Sequence, residues 1–96
     1  MRKIYLVAYD ISNSKRLTKV YKTLRSYGDH AQYSVFICNL SPKEKVLLQG
    51  DLEGIINFKE DQVMLVDLGP PDGRGDNCIE TIGKAFIKPE RHAIVI

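Results

Sequence analysis

The stretch YDISNSKRLTKVYKTLRSYGDHAQYSVF, Tyr9–Phe36, contains the end of one predicted strand, a complete predicted helix and the start of another strand. Its middle part carries apolar side chains at positions i, i+3, i+4, i+7 and i+10, the pattern of a helix with one apolar stripe. The stripe consists of Leu17, Val20, Tyr21, Leu24 and Tyr27. Residues of N-cap type precede it at positions 12–14, and Gly28 is a natural C-terminal stop. The stretch therefore predicts a strand–helix–strand unit.

Strand and helix signals continue on both sides of this unit. Upstream, KIYLVAY at Lys3–Tyr9 places apolar or aromatic side chains on both faces, as expected for a central strand that is covered on both sides. Downstream, AQYSVFIC at Ala31–Cys38 is rich in β-branched and aromatic residues and predicts a second strand. SPKE at Ser41–Glu44 then forms a capping box with proline at the first helical position, which opens a second helix to about Ile56.

The rest of the chain predicts further strands. VMLVDL at Val63–Leu68 is a third strand, a fourth lies within Ile79–Ile87, and a short apolar run at Ala93–Ile96 is a fifth. We expect the order βαββαβ plus an extra C-terminal strand. With right-handed crossovers this order gives a four-stranded antiparallel sheet with both helices on one face, the ferredoxin-like α+β sandwich. No internal boundary is evident, so residues 1–96 are expected to form a single domain.

Composition narrows the class of protein without deciding its function. With 44% hydrophobic and 27% charged residues, the chain resembles an ordinary globular protein. It has no apolar run of about 20 residues and no signal-peptide pattern, so we expect a cytoplasmic protein without a membrane partner. Cys38 and Cys78 form no CxxC pair, which leaves a zinc site or a disulfide framework without support. The net charge of +2 is too small by itself to indicate nucleic-acid binding.

The distribution of charge is more informative than its sum. Between Ile11 and Gly28 the chain has five basic residues and none of its 12 acids. The five are Lys15, Arg16, Lys19, Lys22 and Arg25. They are predicted to share the helix face opposite the apolar stripe, where same-sign charges repel one another unless an anion binds. Phosphate contact is one interpretation, and a solvated face that lacks acids is the other.

Asp10 is the candidate catalytic and metal-binding residue. It lies where a predicted central strand ends and just before a helix begins, a common place for ligands and catalytic groups. A carboxylate there can hold Mg²⁺ or Mn²⁺, which prefer oxygen ligands, but from the residues alone a cap of the turn into the helix is the favoured interpretation. A single carboxylate is a small ligand set for a hydrolytic metal site, since Mg²⁺ sites usually use one or two carboxylates together with substrate phosphates. A two-fold axis that brings two copies of Asp10 together would supply the second, which favours a homodimer.

Three motifs at their mutual spacing resemble those of the second CRISPR-associated (Cas) protein family. They are YDI at Tyr9–Ile11, YG at Tyr27–Gly28 after the basic helix, and QYSVF at Gln32–Phe36. The resemblance implies a ferredoxin-like homodimer that partners the spacer-acquisition integrase. It also implies metal-dependent hydrolysis of RNA or duplex DNA, with Asp10 of both protomers as the metal site. The run Ala93–Ile96 resembles the family's strand that pairs with the partner's sheet.

The resemblance extends to single residues and also shows departures. Arg16 and Lys19 match basic positions that would hold the nucleic-acid backbone, and Phe36 matches the family's aromatic residue, although a core or interface position explains it equally well. His30 stands where the family often has arginine, and Ile37 where an acid is common. As a hypothesis, His30 would then help to bind nucleic acid mainly below about pH 6.5.

Two functions remain open from the sequence. The first is a homodimeric, metal-dependent endonuclease of CRISPR adaptation, with Asp10 as the metal ligand and the basic helix as the phosphate-binding surface. The second is a non-catalytic dimer that binds duplex DNA and the integrase, in which Asp10 merely caps a helix. A metabolite-binding regulator is a weaker third, because no glycine-rich phosphate loop is evident.

Overall fold

The computed structural model describes residues 1–73 and 78–84. It contains four strands and two helices in the order βαββαβ. These elements are β1 Lys3–Asp10, α1 Ser14–Arg25, β2 Asp29–Gln32, β3 Val35–Leu40, α2 Pro42–Glu53 and β4 Gln62–Gly69. The predicted ferredoxin-like order is confirmed. In the part of the chain that is described, neither helix is both long and apolar enough to cross a bilayer.

The four strands form one sheet in the order β2-β3-β1-β4, and every neighbouring pair is antiparallel. The predicted central position of β1 is confirmed, because it pairs with β3 on one side and with β4 on the other. Consequently the end of β1 at Asp10 lies beside Gln62, the first residue of β4.

The predicted second strand is wrong as a single element. Ala31–Cys38 spans a hairpin in which Gln32 pairs directly with Val35 and Tyr33–Ser34 form the turn. The turn has no glycine, proline or asparagine, the residues that usually mark a break, and so the sequence looked continuous. The predicted third strand is accordingly β4, which occupies one edge of the sheet.

Residues 79–84, the described part of the range predicted to contain a fourth strand, have no strand conformation. Gly83 there has φ of 94°, a left-handed conformation that an extended strand does not use. Among the described residues, β4 is the last strand of the sheet. The remaining part of that prediction, residues 85–87, and the predicted strand Ala93–Ile96 lie outside the described residues.

The core lies between one face of the sheet and the two helices. Alternate residues of β1 and β3 point into it, and they meet apolar residues from both helices. Its buried members are Tyr5, Val7, Tyr9, Val20, Leu24, Phe36, Cys38, Leu40, Leu48 and Leu52. Leu17 was predicted in the apolar stripe of α1, but it lies one turn before the buried part of the helix and is 39% exposed.

The opposite face of the sheet is not covered by any described element. Leu6 and Ala8 of β1 point to this face, and the register places Ile37, Met64 and Val66 beside them. Met64 is 50% and Val66 is 42% exposed. The sequence predicted a strand covered on both sides, whereas the described part of one chain covers β1 on the helix side and, on the other side, only at Ile4, which is 6% exposed. We call the five residues the open face.

Candidate metal and nucleic-acid site

Asp10 is the last residue of β1, and its side chain is exposed. Side chains alternate along the strand, with Tyr5, Val7 and Tyr9 buried in the core, so Asp10 points to the side of the open face. Its carboxylate has no hydrogen-bond or ion-pair partner among residues 1–73 and 78–84. A carboxylate in this state is available to an external cation.

The helix that follows Asp10 is capped by another residue. Asn13 is the N-cap of α1, and its Oδ1 atom accepts a hydrogen bond from the Arg16 backbone N–H at 3.0 Å. The interpretation of Asp10 as a helix cap is therefore wrong. Asn13 takes this role because it directly precedes the first helical residue, whereas Asp10 is still paired in the sheet.

The metal-ligand set of a single chain is small. Among the described residues, no group of three or more His, Cys, Asp or Glu side chains is placed to hold a metal ion. Asp10 offers hard carboxylate oxygens, which suit Mg²⁺ and Mn²⁺, and its exposure leaves room for the waters that Mg²⁺ keeps. Asp10 therefore fits a divalent cation as one of its ligands. A complete metal site needs a further ligand in addition to Asp10.

Four of the five predicted nucleic-acid-binding residues form an exposed basic surface on α1. They are Lys15, Lys19, Lys22 and Arg25, and none forms an ion pair with another described residue. The Arg25 guanidinium lies over the Tyr21 ring, 5.8 Å from its centroid. We call these four residues the basic surface. A run of unpaired cations on one helix is suited to a polyanion.

Arg16, the fifth predicted residue, is held by acids from another part of the chain. Its Nε atom donates to Asp61 Oδ2 at 2.8 Å, and its Nη2 atom donates to Asp61 Oδ1 at 3.3 Å and to Glu60 Oε1 at 3.1 Å. Two hydrogen bonds from one guanidinium to one carboxylate are a strong interaction that fixes the orientation of the guanidinium. Arg16 thus ties the first turn of α1 to the loop before β4.

Asp61 is the centre of this connection. Its fully buried carboxylate also accepts hydrogen bonds from the backbone N–H groups of Asn57 at 2.8 Å and Ser12 at 3.0 Å. The Arg16 guanidinium and these N–H groups hold the pKa of Asp61 well below its usual range. Sequence reasoning missed Glu60 and Asp61, because nothing local marks an acid that pairs with a cation 45 residues away.

His30 and Phe36 lie together beneath the β2–β3 turn. Phe36 is fully buried, which confirms the core interpretation of this residue. The His30 ring packs 5.1 Å from Phe36 and 5.3 Å from Tyr21, measured between centroids, and its Nε2 donates to the Tyr33 carbonyl oxygen at 2.9 Å. His30 therefore supports the turn. Its predicted pH-dependent contribution to binding stays a prediction.

Several proteins of known family align with most of this chain. A family model described as CRISPR associated protein Cas2 matches residues 2–72. A protein of Rhodospirillum rubrum named CRISPR-associated endoribonuclease Cas2 1 is 41% identical over 92 residues, covering 96% of this chain and 89% of the relative. A Geobacter sulfurreducens protein named CRISPR-associated endoribonuclease Cas2 is 33% identical over 96 residues, covering 100% of both.

Solved structures match the fold as well. Streptococcus pyogenes Cas2 superposes with a TM-score of 0.73 at 34% identity, covering 83% of this chain and 99% of the other. A hypothetical protein from Thermus thermophilus superposes with a TM-score of 0.76 at 29% identity, covering 94% and 100%. The sequence match over residues 2–72 and the identity to full-length relatives show that this chain belongs to the Cas2 family of CRISPR-associated proteins.

Proposed function

We propose that the chain is a homodimeric, divalent-metal-dependent endonuclease of CRISPR adaptation that hydrolyses phosphodiester bonds of RNA or double-stranded DNA. The Asp10 carboxylate carries the proposal, because it ends the central strand, is exposed and has no partner among the described residues. The relatives named endoribonucleases support this class of reaction. The basic surface supports a nucleic-acid substrate.

The open face supports the homodimer. Met64 and Val66 are apolar and half-exposed, so burying them is favourable in free energy. A second copy of the chain can bury them with its own open face. Asp10 lies on that side of the sheet, so face-to-face packing puts both Asp10 residues into one interface. Such a dimer supplies the second carboxylate that one chain lacks.

The mechanism assigns each group a separate task. A divalent ion held by the two Asp10 carboxylates would supply an activated water and stabilise charge on the phosphate. The cations of the basic surface bind the backbone on either side and orient the scissile phosphate. In-line attack of the water oxygen then breaks the bond from phosphorus to the leaving oxygen, which takes a proton. The products are a phosphate monoester and a free hydroxyl group.

Arg16 has a different role in this proposal from the other four cations. Its guanidinium already binds Asp61 and Glu60, so a phosphate would have to displace paired carboxylates. We assign Arg16 to positioning, because it fixes the segment between Asp10 and α1. Phosphate contact is then made by the basic surface.

A non-catalytic scaffold is the second candidate. It is favoured by the small ligand set, since no group of three or more metal-binding side chains occurs within residues 1–73 and 78–84. In this function the dimer binds duplex DNA and the adaptation integrase, and Asp10 has no catalytic task. Salt-sensitive binding is expected of both candidates and does not separate them.

Cleavage and binding measured together separate the two candidates. Labelled single-stranded RNA and duplex DNA are incubated with wild-type chain, Asp10→Ala and the control Glu53→Ala, which removes an exposed acid from α2. Each reaction contains Mg²⁺, Mn²⁺ or chelator, and binding is followed by fluorescence anisotropy. Calorimetric titration with Mn²⁺ counts ions per chain, for which we expect about one ion per two chains.

The nuclease predicts metal-dependent cleavage by wild type and Glu53→Ala. Asp10→Ala should bind nucleic acid normally and lose at least about 100-fold in rate, since the metal site loses its protein ligands. Equal cleavage by all three proteins, or no cleavage with binding retained, would reject the nuclease and leave the scaffold.

A further inference from the structure

Tyr33 differs from the other four tyrosines of the chain in its exposure. It forms the β2–β3 turn with Ser34 and is 94% exposed, whereas Tyr5 and Tyr9 are buried in the core and the remaining two are half-buried. An aromatic ring in this position contributes almost nothing to the core. It presents a free π-face to solvent.

The backbone beneath this ring is fixed from several directions. The Tyr33 carbonyl oxygen accepts a hydrogen bond from His30 Nε2 at 2.9 Å and a longer one from the Tyr9 hydroxyl at 3.4 Å. The Tyr9 backbone N–H donates to the Ser34 carbonyl at 3.0 Å. The His30 ring itself packs against the two aromatic rings of Tyr21 and Phe36. The ring therefore projects from a preorganised turn, with only its two side-chain torsions free.

The turn lies at the end of the sheet that carries Asp10. Tyr9, which bonds to both residues of the turn, directly precedes Asp10 in β1. The helix α1 begins four residues after Asp10 at this same end, and Lys15 is in its first turn. An exposed ring, a free carboxylate and the start of the basic surface thus share one end of the molecule.

We propose that the Tyr33 ring is a stacking platform for an unpaired base of the bound nucleic acid. This inference rests on the proposed function, and it adds that the strand at the Asp10 site is single or locally unpaired. Every base has a π-face, so the contact favours unpaired strands over duplex without selecting a base sequence. Lysines hold phosphates but cannot make this distinction.

The chain has no tryptophan, which allows a direct optical test. Tyr33→Trp places a single indole in the turn, and Val46→Trp places one on α2 at the opposite end of the sheet, where the native side chain is 67% exposed. Both are made in the Asp10→Ala background with chelator present, so that nothing is cleaved. Single-stranded RNA, single-stranded DNA of the same sequence and duplex DNA are titrated into each.

We expect single strands of either kind to quench the emission of Tyr33→Trp by more than half and duplex DNA to quench it much less. Val46→Trp should stay unchanged. Tyr33→Ala should weaken single-strand binding about 5- to 100-fold, and Tyr33→Phe should stay within about twofold of wild type, since stacking needs the ring and not the hydroxyl. A preference between RNA and DNA would show whether the sugar adds to the contact.

Three results would overturn the stacking site. The first is Tyr33→Trp emission that stays unchanged when single strands bind. Equal weakening of single-strand and duplex binding by Tyr33→Ala is the second. The third is emission that changes with protein concentration alone, which would place the ring in an interface between copies. None of these measurements depends on cleavage, so an inactive Asp10 site would reject the proposed nuclease without deciding the role of Tyr33.

Discussion

Gly28 illustrates how a residue predicted for one reason is required for another. The sequence predicted it as the stop of α1, but the helix ends at Arg25 and its C-cap is Ser26. A side chain at Gly28 would place Cβ 2.5 Å from the Ile37 carbonyl oxygen, and also against the Cys38 side chain. The glycine is needed because the chain passes this close to β3, and sequence alone does not reveal such an approach.

Replacing Gly28 therefore tests the close approach. Gly28→Ala should lower the free energy of unfolding by about 1–3 kcal/mol, the usual cost of overpacking, because the backbone of β3 has to move. Gly50→Ala is the matched control, since nothing lies within 4 Å of a Cβ in that exposed helical position. It should raise stability by about 0.5–1 kcal/mol. Urea unfolding of both variants measures the difference, and equal stabilities would contradict the interpretation.

Phe36 shows the limit of a motif at the residue scale. The motif QYSVF identified the position, but not whether the ring faces the core or a ligand. In the fold it is fully buried and packs against Tyr9, Tyr21 and His30. Its neighbour Tyr33, which no single-residue argument selected, is the exposed ring of the same motif.

Among the secondary-structure elements, those with local signals were predictable. The α2 helix starts at Pro42 as expected, and both hydrogen bonds of the capping box form between Ser41 and Glu44. The helix ends at Glu53, three residues before the predicted end. The β2–β3 hairpin was missed because its turn lacks the usual residues. Caps depend on neighbours in sequence, whereas this hairpin depends on pairing with β1.

The connection between α1 and the loop before β4 gives a sharper prediction at this scale. The salt dependence of binding counts phosphate contacts, with a slope of about 0.9 per contact on duplex DNA. Lys19→Ala should therefore reduce the slope of log K against log salt by about 0.9. Arg16→Ala should leave the slope unchanged and lower the Tm instead, because it leaves the buried Asp61 carboxylate without its guanidinium.

Anisotropy titrations at four or more salt concentrations, with a thermal melt of each variant, measure both quantities. The Lys19→Ala variant is the control, because its exposed side chain makes no ion pair with a described residue. A slope reduced by Arg16→Ala to the same extent, with an unchanged Tm, would restore Arg16 to the phosphate-binding set that the sequence predicted.

At the scale of the whole molecule, the sequence predicted the open face only indirectly. KIYLVAY at Lys3–Tyr9 predicted burial on both sides, and the described residues of one chain cover the second side only at Ile4. A second copy of the chain would cover the side of β1 that the described residues leave exposed. A two-sided apolar strand in a small domain is thus a sequence signal for assembly, whose geometry sequence does not specify.

A charge on the open face should prevent that assembly. Val66→Asp places a carboxylate beside Leu6, where a dimer interface would have to bury it without a partner. We expect the dimer dissociation constant to rise at least about 100-fold and metal-dependent cleavage to fall to the level of Asp10→Ala. Sedimentation equilibrium measures the first quantity. Val46→Asp, on the exposed surface of α2, should leave both unchanged, and a Val66→Asp chain that still dimerises would place the interface elsewhere.

The central position of β1 also has a consequence for how the chain is made. Strand β1 leaves the ribosome before both of its partners, β3 and β4, and β4 ends at Gly69. The ion pair between Lys3 and Asp67, for example, joins residues 64 positions apart. Contacts of such separation form slowly. During synthesis the apolar β1 must therefore remain half-paired until β4 has emerged, and over this interval it is most exposed to chaperones and to aggregation.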